Sequence, residues 1–253
     1  MPVMTEAKRA VVWNPREDRV IHAVWLGVFW VGILAGFGVD IPVFLRQKPP
    51  APWIVYVHAP VYILWLLILT LQVMLVMKGN VALHRRLGKL GVGWAVLVVL
   101  LGPPAALSTM AVSLGTAILQ PQFFSVNLVD VVGFAVMFAW AIAMRRSPAV
   151  HKRLILASMV AMADPGFSRF TGWLMPEPKA VWPWFWYMFY GNVALVALML
   201  GWDLWRYRRT VWQFAVGAGA VLASEVWASV VYFDPAWKAT TTHWVAAWAR
   251  MTR

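Results

Sequence analysis

Seven stretches of the chain are apolar over a length that lets a helix cross the hydrocarbon of a membrane, which takes about 20 mainly apolar residues. They are residues 20–40, 53–77, 87–112, 127–144, 151–175, 183–205 and 210–233. Polar segments rich in turn residues separate them, among them Arg46-Gln47-Lys48-Pro49-Pro50-Ala51-Pro52, Lys78-Gly79-Asn80, Arg145-Arg146-Ser147-Pro148, Pro176-Glu177-Pro178-Lys179 and Arg206-Tyr207-Arg208-Arg209. The pattern predicts an all-α, polytopic transmembrane helix bundle of about seven spans over residues 20–233. A cytoplasmic N-terminal segment, 1–19, precedes it, and an outer-side tail, 234–253, follows. The fourth span is short and the third holds Pro103-Pro104, so their ends are the least sharply marked. The first apolar run follows a charged segment and continues as a full span, so it does not read as a cleavable signal peptide. After Asp234-Pro235 the tail predicts an amphipathic helix lying on the outer surface.

Composition sharpens this picture. Charged residues make up 13% of the 253 positions and hydrophobic ones 62%, whereas a water-soluble domain carries charge on about a quarter of its residues. So little charge cannot cover a globule of this size, which excludes a soluble enzyme and leaves the excess apolar surface to lipid. The absence of cysteine excludes disulfide staples, thiolate metal sites, iron–sulfur clusters and cysteine nucleophiles.

The net charge of +12 would point to nucleic acid in a soluble protein, but here its distribution follows the loops. With the N-terminus in the cytoplasm, fifteen Lys and Arg fall inside: Lys8, Arg9, Arg16 and Arg19; Lys78, Arg85, Arg86 and Lys89; Arg145, Arg146, Lys152 and Arg153; and Arg206, Arg208 and Arg209. Six fall outside (Arg46, Lys48, Lys179, Lys238, Arg250 and Arg253), and Arg169 lies within a span. That asymmetry predicts the N-terminus inside and the C-terminus outside. The basic charge is then topology, membrane lipids are its partners, and no nucleic-acid partner is called for. The 18 tryptophans crowd the predicted interfaces, as indoles do when an apolar ring carries a polar N–H. On the outer side Trp182-Pro183-Trp184-Phe185-Trp186-Tyr187 is dense enough to suggest a docking surface for a membrane-protein partner, or a pocket wall, as well as an interfacial belt.

Two loops enter a helix in the same way, Leu83-His84-Arg85-Arg86-Leu87 and Val150-His151-Lys152-Arg153-Leu154, and Ile21-His22-Ala23 echoes Val57-His58-Ala59. The run from Val57-His58-Ala59 through Trp65 and Gln72 leads into Gly79-Asn80-Val81-Ala82-Leu83-His84-Arg85-Arg86-Leu87-Gly88 and then Val150-His151-Lys152-Arg153-Leu154. Over roughly residues 55–175 the chain resembles a family of uncharacterised bacterial polytopic membrane proteins. The resemblance implies a multi-pass protein of a bacterial inner (cytoplasmic) membrane and implies no chemistry. A fainter likeness to haem-binding b-type membrane cytochromes rests on histidines at helix ends.

Several chemistries have no residues to carry them. The last span, 210–233, has no lysine for a retinal Schiff base, and no pair of Asp-rich motifs stands ready for magnesium and diphosphate. Walker, Gly-x-Ser-x-Gly and His-Glu-x-x-His motifs are lacking as well. No catalytic residue and no metal site can be assigned.

Two groups of ionisable residues remain. His22, His84 and His151 lie near the cytoplasmic interface and are candidate ligands for haem b or a metal, with the neighbouring basic residues facing propionates. Haem ligands, however, usually sit further into a span. The competing reading makes Arg85, Arg86, Lys152 and Arg153 anchors to lipid phosphate. In the outer half, His58, Asp130, Asp164, Arg169 and Glu225 are ionisable groups in apolar surroundings, each costing on the order of 2.5–3.5 kcal/mol unless it is partnered or lines a wet cavity. His58, Tyr62, Trp65 and Gln72 share one face of the second span. Asp164-Pro165-Gly166 predicts a helix break, since proline removes a backbone donor. The expectation is a connected polar cavity of His58, Tyr62, Gln72, Asp164 and Glu225 with Asp130 and Arg169 at its rim. The structural alternative pairs Asp164 with Arg169, has Glu225 accept hydrogen bonds from a neighbouring helix, and leaves nothing bound.

Three functional classes fit these residues: first a non-catalytic accessory or binding subunit with an aromatic outer surface, second a haem-b or quinone-linked redox protein, and third a transporter or membrane enzyme acting on a lipophilic substrate through the buried carboxylates.

Overall fold

The computed structural model describes residues 14–252; Lys8, Arg9 and Arg253, counted above for topology, lie outside the described residues. Helix α1 (Pro15–Arg46) begins where the Asn14 side chain accepts hydrogen bonds from the backbone N–H groups of Arg16 (3.1 Å) and Glu17 (3.4 Å). A proline opens its first turn, Glu17 and Asp18 follow, and Arg46 closes its last turn, so both ends complement the helix dipole. These end signals carry the helix several residues past the apolar window 20–40. After α2 (Trp53–Met77), Gly79 takes φ +74° in a tight turn, a conformation that costs glycine little. Asn80 then caps α3 (Val81–Val112) by accepting from Leu83 N–H at 3.1 Å, which starts the helix six residues ahead of the apolar run at Leu87. Pro103 and Pro104 sit inside α3 without ending it. A single 3-10 turn (Pro121–Phe123) leads into α4 (Phe124–Ala143).

The expected fifth span is two helices, α5 (Pro148–Val160) and α6 (Asp164–Leu174). Pro165 has no N–H to offer the carbonyl four residues back. The chain passes through Ala161–Ala163 on shorter-range bonds instead, Met162 N–H to Met159 O at 3.1 Å and Ala163 N–H to Val160 O at 3.0 Å. Helices α7 (Val181–Tyr207), α8 (Trp212–Tyr232) and α9 (Pro235–Met251) complete the described chain. Among the described residues six helices are long and apolar enough to cross a membrane: α1, α2, α3, α4 with its 3-10 turn, α7 and α8. Helices α5 and α6 are each too short, at 13 and 11 residues.

Together, however, α5 and α6 run beside α1 in the same direction. Arg153 meets Asp18, Phe167 packs on Gly32, Gly166 meets Gly36 and Arg169 meets Asp40. Residues 18 to 40 of α1 rise about 33 Å at 1.5 Å per residue. The two backbones touch at Gly36 and Gly166: a Cβ on Gly36 would stand 1.8 Å from the Gly166 carbonyl oxygen, and one on Gly166 would stand 2.8 Å from the Gly32 oxygen. Close approach of this kind, built on small residues, is how helices associate where no hydrophobic effect drives them together.

The main apolar core includes Phe29, Trp65, Phe134, Leu154, Met159 and Phe214. Trp65 donates its indole N–H to the Met159 sulfur at 3.3 Å and meets the rings of Phe134 and Phe138 edge-on. A second cluster joins Trp184, Phe185, Phe189 and Tyr232. The aromatic run at the start of α7 is therefore divided. Trp182 and Trp186 are exposed, whereas Trp184 is fully buried, stacked on Tyr232 at 4.1 Å. Helix α9 buries Thr241, Val245 and Ala249 at steps of four, and Trp248 ties it to α3 by donating to Ser108 Oγ at 2.9 Å.

Replacing Gly36 by alanine should lower stability by about 1–3 kcal/mol, the usual cost of overpacking, read as a drop in the thermal midpoint in detergent. An unchanged midpoint would mean that α1 and α6 are not in backbone contact.

Candidate functional site

Two buried polar layers divide the bundle's ionisable residues, and α5–α6 runs through both. The first layer is built of carboxyl groups. Asp130 comes from α4, Asp164 opens α6, Asn192 lies in α7 and Glu225 in α8, all of them buried. The Asp130 and Asp164 carboxyls act on each other electrostatically. Asn192 donates its amide N–H to Glu225 Oε1 at 2.7 Å, and Glu225 lies within electrostatic reach of both aspartates. Three oxygens here have no hydrogen-bond partner: Asp164 Oδ1, Asn192 Oδ1 and Glu225 Oε2. Ionised carboxylates are acceptors without a donor hydrogen. Two carboxylates brought near one another in an apolar interior repel, and a proton on one relieves this.

His58 of α2 is half-buried, its Nδ1 without a partner and its ring 3.9 Å from that of Tyr62. Tyr62 donates to the Val98 carbonyl at 3.0 Å and lies within electrostatic reach of Asp130. Arg169 does not pair with Asp164. It reaches Asp40 at 3.1 Å, donates to the Pro165 carbonyl at 2.8 Å and lies over the Phe37 ring. A spacing of five residues within α6 turns Asp164 and Arg169 to different faces, and Asp40 of α1 stands where the arginine points. Gln72 also leaves the expected group. Oriented with its NH2 toward His84, its carboxamide donates to the His84 carbonyl at 3.0 Å and accepts from Gly88 N–H at 3.3 Å.

The second layer is ionic. Arg153, 2% exposed, donates through Nε and Nη2 to both oxygens of Asp203, each at 2.7 Å. It also reaches the Asp18 carboxylate, at 2.9 Å through Nη2 and 3.5 Å through Nη1, and the Ala149 carbonyl at 3.2 Å. Lys152 pairs with Asp18, and Thr210 donates to Asp203 Oδ2 at 2.7 Å. Further out, Arg206 holds Glu17 through two hydrogen bonds of 2.7 and 2.8 Å. Arg153 and Lys152, expected to be lipid-phosphate anchors, thus face protein carboxylates, because Asp18 and Asp203 converge on the start of α5. Arg85 and Arg86 are exposed at the start of α3.

The three candidate haem or metal ligands are engaged separately. His22 Nδ1 lies 2.6 Å from the Asp18 carbonyl, His151 Nδ1 lies 2.8 Å from the Ala141 carbonyl, and His84 sits against Gln72. Among the described residues no three His, Cys, Asp or Glu side chains are gathered so as to hold a metal ion.

Asn192, Asp18, Asp203 and Asp40 were not singled out by sequence reasoning. A lone carboxamide in the apolar α7 was a usable signal, since such a group needs a partner on a neighbouring helix. The aspartates lay at span ends, where an acidic residue reads as solvated.

Compared with family models, curated proteins and solved structures, the chain matches none.

Replacing Arg153 by alanine strands Asp18 and Asp203 and should cost about 3–5 kcal/mol, measured as loss of thermal stability in detergent. Replacing all three together, as Arg153→Met with Asp18→Asn and Asp203→Asn, should recover most of that loss. A triple variant as unstable as the single one would contradict the pairing.

Proposed function

We propose that the chain is a polytopic membrane protein of seven crossings, with α5–α6 as a broken fifth, and that it works as a proton-coupled carrier. The observation that carries this reading is the set of buried polar side chains Asp130, Asp164, Asn192 and Glu225 on four helices, with Asn192 donating to Glu225 and with Asp164 Oδ1 and Glu225 Oε2 left without a partner. Ionisable groups deep in an apolar bundle are costly and mark ion or proton paths in pumps and transporters. Placement at a helix break strengthens the reading, because discontinuous helices line the sites of many carriers. Buried carboxyls that act on one another and keep acceptor oxygens unpartnered favour proton binding over a purely structural role.

Orientation follows from the basic residues. Arg16, Arg19, Arg85, Arg86, Arg145, Arg146, Lys152, Arg206, Arg208 and Arg209 belong to helix ends at the Arg153 side of the bundle. The positive-inside rule then supports a cytoplasmic N-terminus, with α9 and the His58 end on the outer side. The resemblance to bacterial multi-pass proteins supports an inner-membrane location. A second reading, an accessory subunit, is favoured by one observation: Trp173, Trp182 and Trp186 are exposed near one another in sequence on the outer side, a surface suited to a membrane-protein partner.

Infrared spectra of the purified protein at pH 7 test the carboxyl site. We expect absorbance from a protonated carboxyl that is lost or shifted in Asp164→Asn and in Asp130→Asn. Spectra identical in that region for all three proteins would overturn the reading.

A further inference from the structure

The start of α1 sorts its charges by face. Its two carboxylates are engaged within the protein, Glu17 with Arg206 at 2.7 and 2.8 Å and Asp18 with Arg153 and Lys152. Arg16, Arg19 and Val20, spaced i, i+3 and i+4, share another face. Among the described residues neither of these two arginines has a side-chain hydrogen bond or ion pair, and no carboxylate lines the space beside them.

That space is a cavity of about 260 Å³ between the start of α1 and the end of α2, lined by Arg16, Arg19, Val20 and Met77. The two helices are tied together deeper in the bundle, where Trp30 donates its indole N–H to Thr70 Oγ1 at 2.9 Å. From that bond Val20 is about 15 Å away along α1 and Met77 about 10 Å away along α2. The cavity is basic on one side and apolar on the other. From Val20 an exposed strip continues down α1 through Val24, Gly27, Val31 and Leu34, at steps of four and three. A Cβ on Gly27 would meet nothing within 4 Å. The strip is about 21 Å long at helical rise. On α2 the exposed side chains of Met77 and Met74 continue the apolar side, and Lys78 adds a further exposed cation next to Met77.

A molecule that matches both sides has a negatively charged head and an apolar tail. Guanidinium donors fit phosphate oxygens, and two cations with no carboxylate to offset them favour a head of net negative charge over a zwitterion. Basic pockets between helix ends at a membrane surface suit such heads. A soluble phosphate compound would satisfy the arginines and leave the strip beneath them unused. We infer that the cavity between α1 and α2 is a binding site for an anionic phospholipid, with its phosphate on Arg16 and Arg19 and an acyl chain along Val20, Val24 and Gly27. The site is separate from the carboxyl layer, and its occupancy does not depend on the carrier reading.

Native mass spectrometry of the purified full chain, with phosphatidylglycerol or phosphatidylethanolamine added, tests the site. The wild-type protein should bind phosphatidylglycerol at least about tenfold more tightly, the scale expected of two basic residues acting on an anionic lipid. Arg16→Gln/Arg19→Gln should lose that preference. Arg85→Gln/Arg86→Gln removes the same charge from the same end of the bundle and should keep it. Val20→Trp retains both arginines on an exposed face and should weaken phosphatidylglycerol binding by filling the cavity. Equal binding of the two lipids to the wild-type protein would overturn the inference, as would unchanged affinity in Val20→Trp. Equal loss in the two double variants would overturn it too, by reducing the preference to net charge. Displacement of the lipid by glycerol 3-phosphate would overturn the lipid assignment in favour of a soluble phosphate compound.

Discussion

A charged group in an apolar bundle must find a partner of opposite charge, a hydrogen bond or a proton, because the surroundings solvate it so poorly. The interior of this protein meets that constraint in two different ways at two depths. At one end Arg153 satisfies Asp203 and Asp18 at once and gathers α1, α5 and α7 around the start of α5. Nearer the other end no arginine or lysine among the described residues is seen hydrogen-bonded to Asp130, Asp164 or Glu225. Arg169 is paired with Asp40 and reaches Asp164 only electrostatically, while Asn192 holds Glu225. A buried pair of the first kind contributes little net stability but is expensive to break. The second kind stays open to a change of protonation.

The same helix serves both layers, and the break at Ala161–Ala163 is what allows it. An unbroken helix from Pro148 to Leu174 would offer its carbonyls to its own backbone throughout. With Pro165 in place, α6 restarts at Asp164, so the carboxyl stands at a helix N-terminus, where negative charge is favoured. The contact between Gly36 and Gly166 then fixes α6 against α1, two residues beyond the carboxyl. A polar site held on such a close-packed joint is rigid on the α1 side.

Much of this was legible in the sequence. Long apolar runs bounded by turn residues gave six helices that can cross a membrane and the tail helix α9, and Asp164-Pro165-Gly166 marked the broken one. Depth and cost singled out Asp130, Asp164, Glu225 and His58. Pairing was not legible, because periodicity describes one helix at a time and says nothing about which helix is next to it. Arg153 and Lys152 looked like interfacial anchors until Asp18 and Asp203 came to face them. Gln72 shares a helical face with His58 yet sits one end away, since fourteen residues of α2 rise about 21 Å. Asn192 was hidden by the apolar character of α7, although its carboxamide completes the site.

The central claim is that Asp130 and Asp164 hold one proton between them in the folded protein. Potentiometric titration of the purified chain against the Asp130→Asn/Asp164→Asn double variant measures this directly as a difference in net charge. The account predicts a difference of one charge at pH 7, one ionised carboxylate out of the two removed. A difference of two charges would mean that both carboxyls are ionised and would contradict the account.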